Sequence, residues 1–223
     1  MQTLGMAGTL LIFAASCAAQ NTPLPIEQEP NHKLLLHNDF VELFRVTLPP
    51  DGRTLYHTHS RDRATVELSN TSITQQTFGG SENAPTTIHP GDFSVTDVSA
   101  VGPYSHRVHN LGPGTFDVLD IEFLQRPEKP SEATTVPAAG ENPSARAYHW
   151  SLAPGAQTPE HTHHRPYLIV AATPMELKMT TPDGQLMTHE IKAGDFHWVD
   201  TQVTHTLVNA GTTPGEIFEF ELK

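Results

Sequence analysis

His161-Thr162-His163-His164 reads HTHH and His57-Thr58-His59-Ser60 reads HTHS, so one His-Thr-His element stands twice in the chain. Side chains two apart on a strand point to the same face, and each element therefore presents two imidazoles side by side, which is half of a metal site. A third nitrogen must come from another strand. Each half offers one, His106 in HRVHN and His205 in HTLVN. The correspondence extends outward from the histidines. At an offset of 104, Phe44 falls on Tyr148, Leu48 on Leu152, Pro50 on Pro154, Thr54 on Thr158, Arg61 on Arg165 and Gly80 on Gly184. At 103, Gly91-Asp92-Phe93 falls on Gly194-Asp195-Phe196, and at 99, His106 and Asn110 fall on His205 and Asn209. Length changes sit in loops, the signature of an internal repeat.

The 223 residues give room for two small domains with sizeable cores. A net charge of -12, from 25 acidic against 13 basic residues, disfavours nucleic acid and anionic lipid surfaces by repulsion. Fourteen histidines raise the expectation of a metal protein. The single cysteine, Cys17, leaves no disulfide and no thiolate ligand in the mature domain, so a metal must be held by nitrogen or oxygen. Leu4 to Ala19 is uncharged and apolar, with Leu10 to Phe13 at its centre and small residues after it. It reads as a secretory signal, although no Lys or Arg precedes it. Ala14 to Cys17 (AASC) also resembles a lipoprotein signal, with Ala14 where Leu is usual, which makes Cys17 a candidate lipid anchor. Both readings place the protein outside the cytoplasm, periplasmic or extracellular.

After a signal over residues 1–19, Pro23, Pro25 and Pro30 mark residues 20–31 as an extended tether. Phe40, Phe44, Val46 and Leu48 share one parity, a half-buried strand, and further short strand-like runs punctuated by Pro-Gly turns continue to Leu124. No amphipathic helix is evident. Residues 126–145 shift to Pro, Ala, Glu, Thr and Ser and read as a linker between a first domain at 32–125 and a second at 146–223. Asp92 and Asp195 follow turn glycines and read as turn formers, and Asn110 and Asn209 as residues that fix loop backbone.

These motifs resemble the cupin family, whose first motif is Gly, five residues, HxH, three or four residues, Glu and then Gly, and whose second is PxG followed by His, three residues and Asn. The second half supplies Gly155, His161, His163, Gly194, His205 and Asn209; the first supplies His57, His59, Pro90-Gly91, His106 and Asn110. The resemblance spans both halves. It implies an all-β bicupin: two tandem antiparallel β-barrels of the double-stranded β-helix or jelly-roll type, each with a metal near its mouth. The chain departs from the family at the glutamate. Four or five residues beyond the second histidine stand Arg63 or Ala64 in the first half, and Tyr167 or Leu168 in the second. Glu67 has the right parity but lies about 26 Å from His59 along a straight strand at ~3.3 Å per residue. The expectation is of three-histidine sites lacking the usual glutamate, or of empty ones.

Three neutral imidazoles leave a divalent ion its full charge and open positions for substrate or oxygen; the ligand set admits Fe, Mn, Cu, Ni or Zn. Arg63 at the vacant position would repel a dication, whereas Tyr167 is neutral and can hydrogen-bond a ligand on the metal. The second half, with His161, His163 and His205, is therefore favoured over His57, His59 and His106, and Tyr167 and Arg165 are the candidate substrate contacts. Three functions follow: a dioxygenase-type oxidoreductase on a small organic acid or phenol, a non-catalytic small-ligand or metal-binding module of the cell envelope, and a bicupin with decayed sites. A small-molecule partner is common to the first two.

Overall fold

Short runs of β-branched and aromatic residues, each ended by Pro or Gly, leave the chain little choice but strands. The computed structural model describes residues 20–132 and 134–223. The leader with Cys17, read above as a processing signal, lies outside the described residues. Among those residues the helical elements are Val98–Val101, capped by the Asp97 carboxylate, and a 3-10 turn at Ile26–Gln28.

Each half is two facing sheets with one strand order. In the first barrel one sheet runs Leu24–Pro25, His57–His59, Tyr104–Asn110, Thr71–Thr77, Thr86–Ile88; the other runs His32–His37, Val41–Leu48, Phe116–Phe123, Arg63–Glu67, Phe93–Thr96. The second barrel repeats this with His161–His163, Val203–Asn209, Met175–Thr180, Leu186–Ile191 facing Gly140–Glu141, Ala145–Leu152, Gly215–Leu222, Tyr167–Ala171, Phe196–Val199. Pairing is antiparallel except where Leu24–Pro25 runs parallel to His57–Thr58. The all-β, cupin-type double barrel read from the sequence is the architecture found.

Two of the corresponding strands, Phe116–Phe123 and Gly215–Leu222, are buried on both faces. Leu119, Ile121, Phe218 and Phe220 point away from their own barrels into a shared core with Val41, Leu43, Leu168 and Val170. Val118 and Ile217 point inward, into separate barrel interiors. The two barrels are thus welded sheet to sheet. Phe40 stacks on Trp198 at 5.8 Å and Phe93 meets Phe218 at 5.1 Å. The repeated Gly-Asp-Phe turns sit at this seam: Gly194 has φ +84°, a conformation that favours glycine, and packs beside Arg45 and Leu68 of the first barrel.

The boundaries differ from the sequence reading in two places. Residues 20–31, read as a tether, are packed onto the first barrel: Ile26 and Glu29 are buried, and the backbone N–H of Tyr56 donates to the Gln20 side chain. The last part of the 126–145 linker is structure as well. Gly140–Glu141 pairs with Ala147 and Arg146, Asn142 donates to the carbonyls of Arg63 and Thr96, and Ser144 donates to Asp62 at 2.8 Å. Proline content hid these contacts, because they run through side-chain amides and hydroxyls that carry no periodic signal.

A core shared by both barrels predicts one cooperative unfolding transition. Phe218→Ala, at a side chain with no exposure, should cost about 3–5 kcal/mol and lower the single calorimetric transition; two transitions of which only one moves would contradict a shared core.

Candidate metal centre

Strand parity does bring each His-Thr-His pair to the barrel interior, and strand pairing brings the third histidine opposite the first: His161 faces His205, and His57 faces His106. All six imidazoles are buried. In the second barrel a fourth group joins them. Glu219, on the inward face of Gly215–Leu222, has no exposure, and its carboxylate lies 2.9 Å from His161 Nε2, 3.0 Å from His205 Nε2 and 3.2 Å from His163 Nε2. One ligand atom from each of these four residues lies within 4.8 Å of all the others. The expectation of a site without a carboxylate is therefore corrected. The glutamate absent after the second histidine is delivered by the last strand, from across the pair Ile169 to Glu219.

Whether a metal suits this cluster is answered by its unsatisfied atoms. Both nitrogens of His163 and Oε1 of Glu219 are buried without a hydrogen-bond partner, although His163 Nε2 and Glu219 Oε1 are only 3.2 Å apart. His163 Nε2 and Glu219 Oε1 face the space shared with His161 and His205, while His163 Nδ1 lies 3.6 Å from Glu221, and buried polar atoms of this kind are costly unless a bonding partner is supplied. The donor set of three imidazole nitrogens and one carboxylate oxygen fits a divalent transition metal. A second layer orients it. The backbone carbonyl of Pro159 accepts from His161 Nδ1 at 2.9 Å, which turns Nε2 inward, and Trp150 Nε1–H donates to Glu219 Oε2 at 2.7 Å. Tyr148 donates to Glu221, whose other oxygen accepts the backbone N–H groups of His164 and Arg165.

Tyr167 stacks on the His163 ring at 4.0 Å. Burial, with Glu219 and Glu221 close by, pushes its phenol above the usual range, so it stays protonated at neutral pH. Arg165 is exposed and approaches the site through its backbone N–H alone.

The first barrel carries the same three histidines, also close enough to share an ion. Its fourth position is spent differently. Asp120, the counterpart of Glu219 at the offset of 99, is gripped by the Arg63 guanidinium at 3.1 Å, with Tyr104 accepting a further Arg63 hydrogen bond at 2.7 Å. Burial, followed by the positive charge of neighbours, depresses its imidazoles: His57 to about 4 and His106 to about 2, with Arg63 acting directly on His59 and His106. Arg63 thus occupies the place read from the sequence, with its charge answered there by Asp120. Asn110 and Asn209 fix loop backbone, each donating to carbonyls of its own barrel, and Asp92 and Asp195 close their turns.

Glu219 was the residue sequence reasoning missed. Its sequence signal is a pair of glutamates alternating with Phe218 and Phe220 in the last strand, a position that the family's motif spacing does not cover.

No protein-family model matches the chain. A 74-residue stretch is 32% identical to the beta-alanine degradation protein BauB of Pseudomonas aeruginosa, covering 33% of this chain and 77% of that one. Among solved structures, a single-site mutant of the salicylate 1,2-dioxygenase from Pseudoaminobacter salicylatoxidans, in complex with gentisate, superposes with a TM-score of 0.57 at 13% identity over 90% of this chain and 76% of that one. YhaK from Escherichia coli gives 0.56 at 14% identity, over 88% and 94% of the two chains.

Burial lowers the pKa of His163, but the carboxylates of Glu219 and Glu221 outweigh it and raise it to about 9. Below that pH a metal must displace the proton, so affinity should rise about tenfold per pH unit up to about pH 9 and level off above it. Calorimetric titrations in buffers of different ionisation enthalpy would measure the released proton. Glu219→Gln should lose more than the ~10–100-fold in affinity that removal of an outer hydrogen-bond partner costs.

Proposed function

The chain belongs to the cupin superfamily, and from that premise we propose that its second barrel is the metal centre of a dioxygenase-type oxidoreductase acting on a small organic acid or phenol. One observation carries the reading: His161, His163, His205 and Glu219 bring four buried ligand atoms together, and among them His163 and Oε1 of Glu219 have no hydrogen-bond partner. Three imidazoles and one carboxylate would reduce the charge of a divalent Fe, Mn, Cu, Ni or Zn ion from +2 to +1, and the ion would supply Lewis acidity or redox chemistry to a bound substrate. The protein's own groups hold and exclude. Trp150 fixes the Glu219 carboxylate, and the protonated Tyr167 phenol is a hydrogen-bond donor beside His163. Arg165, exposed at the start of the Tyr167–Ala171 strand, is suited to draw an anionic substrate to the entrance. The relative named for beta-alanine degradation supports a small organic acid as the ligand class.

A second reading draws on the burial of all four donor residues, none more than 2% exposed. Closed donor sets suit metals held for binding more than for turnover, which favours a non-catalytic metal-binding module of the cell envelope. Turnover separates the two readings. The apolar leader, ending in Cys17 or Ala19, supports export to the periplasm or beyond, and intact-mass analysis of native protein distinguishes lipidation at Cys17 from cleavage after Ala19.

Reconstituted with each of the five metals, the wild-type chain should bind one ion in the second barrel. His161→Ala with His163→Ala should remove most of it, and His57→Ala with His59→Ala should remove less, because in the first barrel the counterpart of Glu219, Asp120, is already paired with Arg63. Metal analysis of the two double variants measures this. Oxygen uptake with catechols, diketones and small carboxylic acids tests the enzyme; metal binding with no uptake would leave the binding module, and no metal at all would reject both.

A further inference from the structure

The first barrel holds a polar cavity that a metal in the second barrel does not use. About 80 Å³ of space lies inside it, walled by His32, His57, Arg63, Glu67 and Asp120. A wider hollow of about 270 Å³ shares Thr65, Glu67 and Gln75 with it and reaches the exposed Thr86 and Thr87. Glu67 stands where the two meet. The strand alternation that turns Arg63 into the barrel turns Glu67 in as well, four residues along the same strand or about 13 Å at ~3.3 Å per residue.

The cavity's polar wall mostly accepts hydrogen bonds. His57 Nδ1–H donates to the Leu55 carbonyl at 2.9 Å, so its ring keeps Nε2 as an acceptor, and His32 Nδ1–H is taken up by the buried Glu29 carboxylate at 2.6 Å. Oε2 of Glu67 is buried with no hydrogen-bond partner. The one permanent cation of the wall, Arg63, has its charge answered by Asp120 and donates onward to Tyr104. Near Glu67 the remaining charges are acidic, Asp92 foremost. What this end of the cavity lacks is a cation that carries N–H donors.

We propose that the first barrel binds a small organic ammonium ion, its N–H groups directed at Glu67 and its carbon body against Ile73 and Val118 in the same cavity. Burial and then Asp92, with Arg63 opposing, push the Glu67 carboxyl up to about 8, the behaviour of a buried carboxylate without a counter-charge. An ammonium brings charge and donors together and draws the proton off Glu67, whereas an anion would meet Asp120 and Asp92, and an alcohol brings no charge with which to ionise the carboxyl.

The test titrates the full mature chain with propylammonium chloride, and with sodium propionate and 1-propanol as isosteric controls, by calorimetry and thermal unfolding. Propylammonium alone should bind and raise the unfolding temperature. Glu67→Gln, which removes no hydrogen bond from the protein, should weaken that binding at least tenfold, and the His161→Ala, His163→Ala variant should retain it. Propionate binding in place of the amine, no binding of any probe at 10 mM, or unchanged amine affinity in Glu67→Gln would each overturn the proposal. Should Glu67→Gln fail to fold, the selectivity of the wild-type protein among the three probes decides the matter.

Discussion

A carboxylate buried on the inward face of the last strand must be neutralised, and both barrels are built around that requirement. Removing such a charge from water costs several kcal/mol unless a partner and hydrogen bonds replace the solvent. The second barrel gives Glu219 three imidazoles and the indole N–H of Trp150. The first gives Asp120 the guanidinium of Arg63. One residue position decides between these solutions. Arg63 and Tyr167 correspond in the repeat, and exchanging a cation for a phenol converts a self-neutralised pair into a set of donors open to an external charge.

The two barrels have therefore diverged in electrostatics while keeping one frame. In the first, Arg63 and burial hold the imidazoles neutral, and the free carboxylate is Glu67, far along the strand from the histidines. In the second, the carboxylate has moved among the histidines. The layer behind the histidines diverges in the same sense. His106 Nδ1 donates to Gln75, an amide, while His205 Nδ1 faces the Met179 thioether, a poorer acceptor. A tandem repeat with one shared core can carry two chemistries because the sites lie inside separate barrels, while the stability comes from the seam between them.

That seam also explains why the last strand of each half is buried on both faces and yet carries acids. Phe218 and Phe220 point into the inter-barrel core, so Glu219 and Glu221, on the other parity, can only point into the barrel. The seam makes a carboxylate on this strand unavoidably internal. The same two-sided burial fixes the register, since a slip of one residue would drive both acids into the hydrophobic seam.

The sequence by itself determined the double barrel and the six histidines, because strand parity, turn glycines and an internal repeat are local patterns that survive without coordinates. It also placed Arg63 and Tyr167 at the position that distinguishes the halves. Tertiary structure decided the rest. Glu219 reaches His163 from 56 residues away through strand pairing, and no spacing rule links them. Residues 20–31 and the end of the 126–145 segment pack through isolated side-chain hydrogen bonds, which leave no periodic trace in a proline-rich stretch. Glu67 was legible as an inward-facing acid, but its lack of a partner is a property of everything around it, and only the folded barrel could show that.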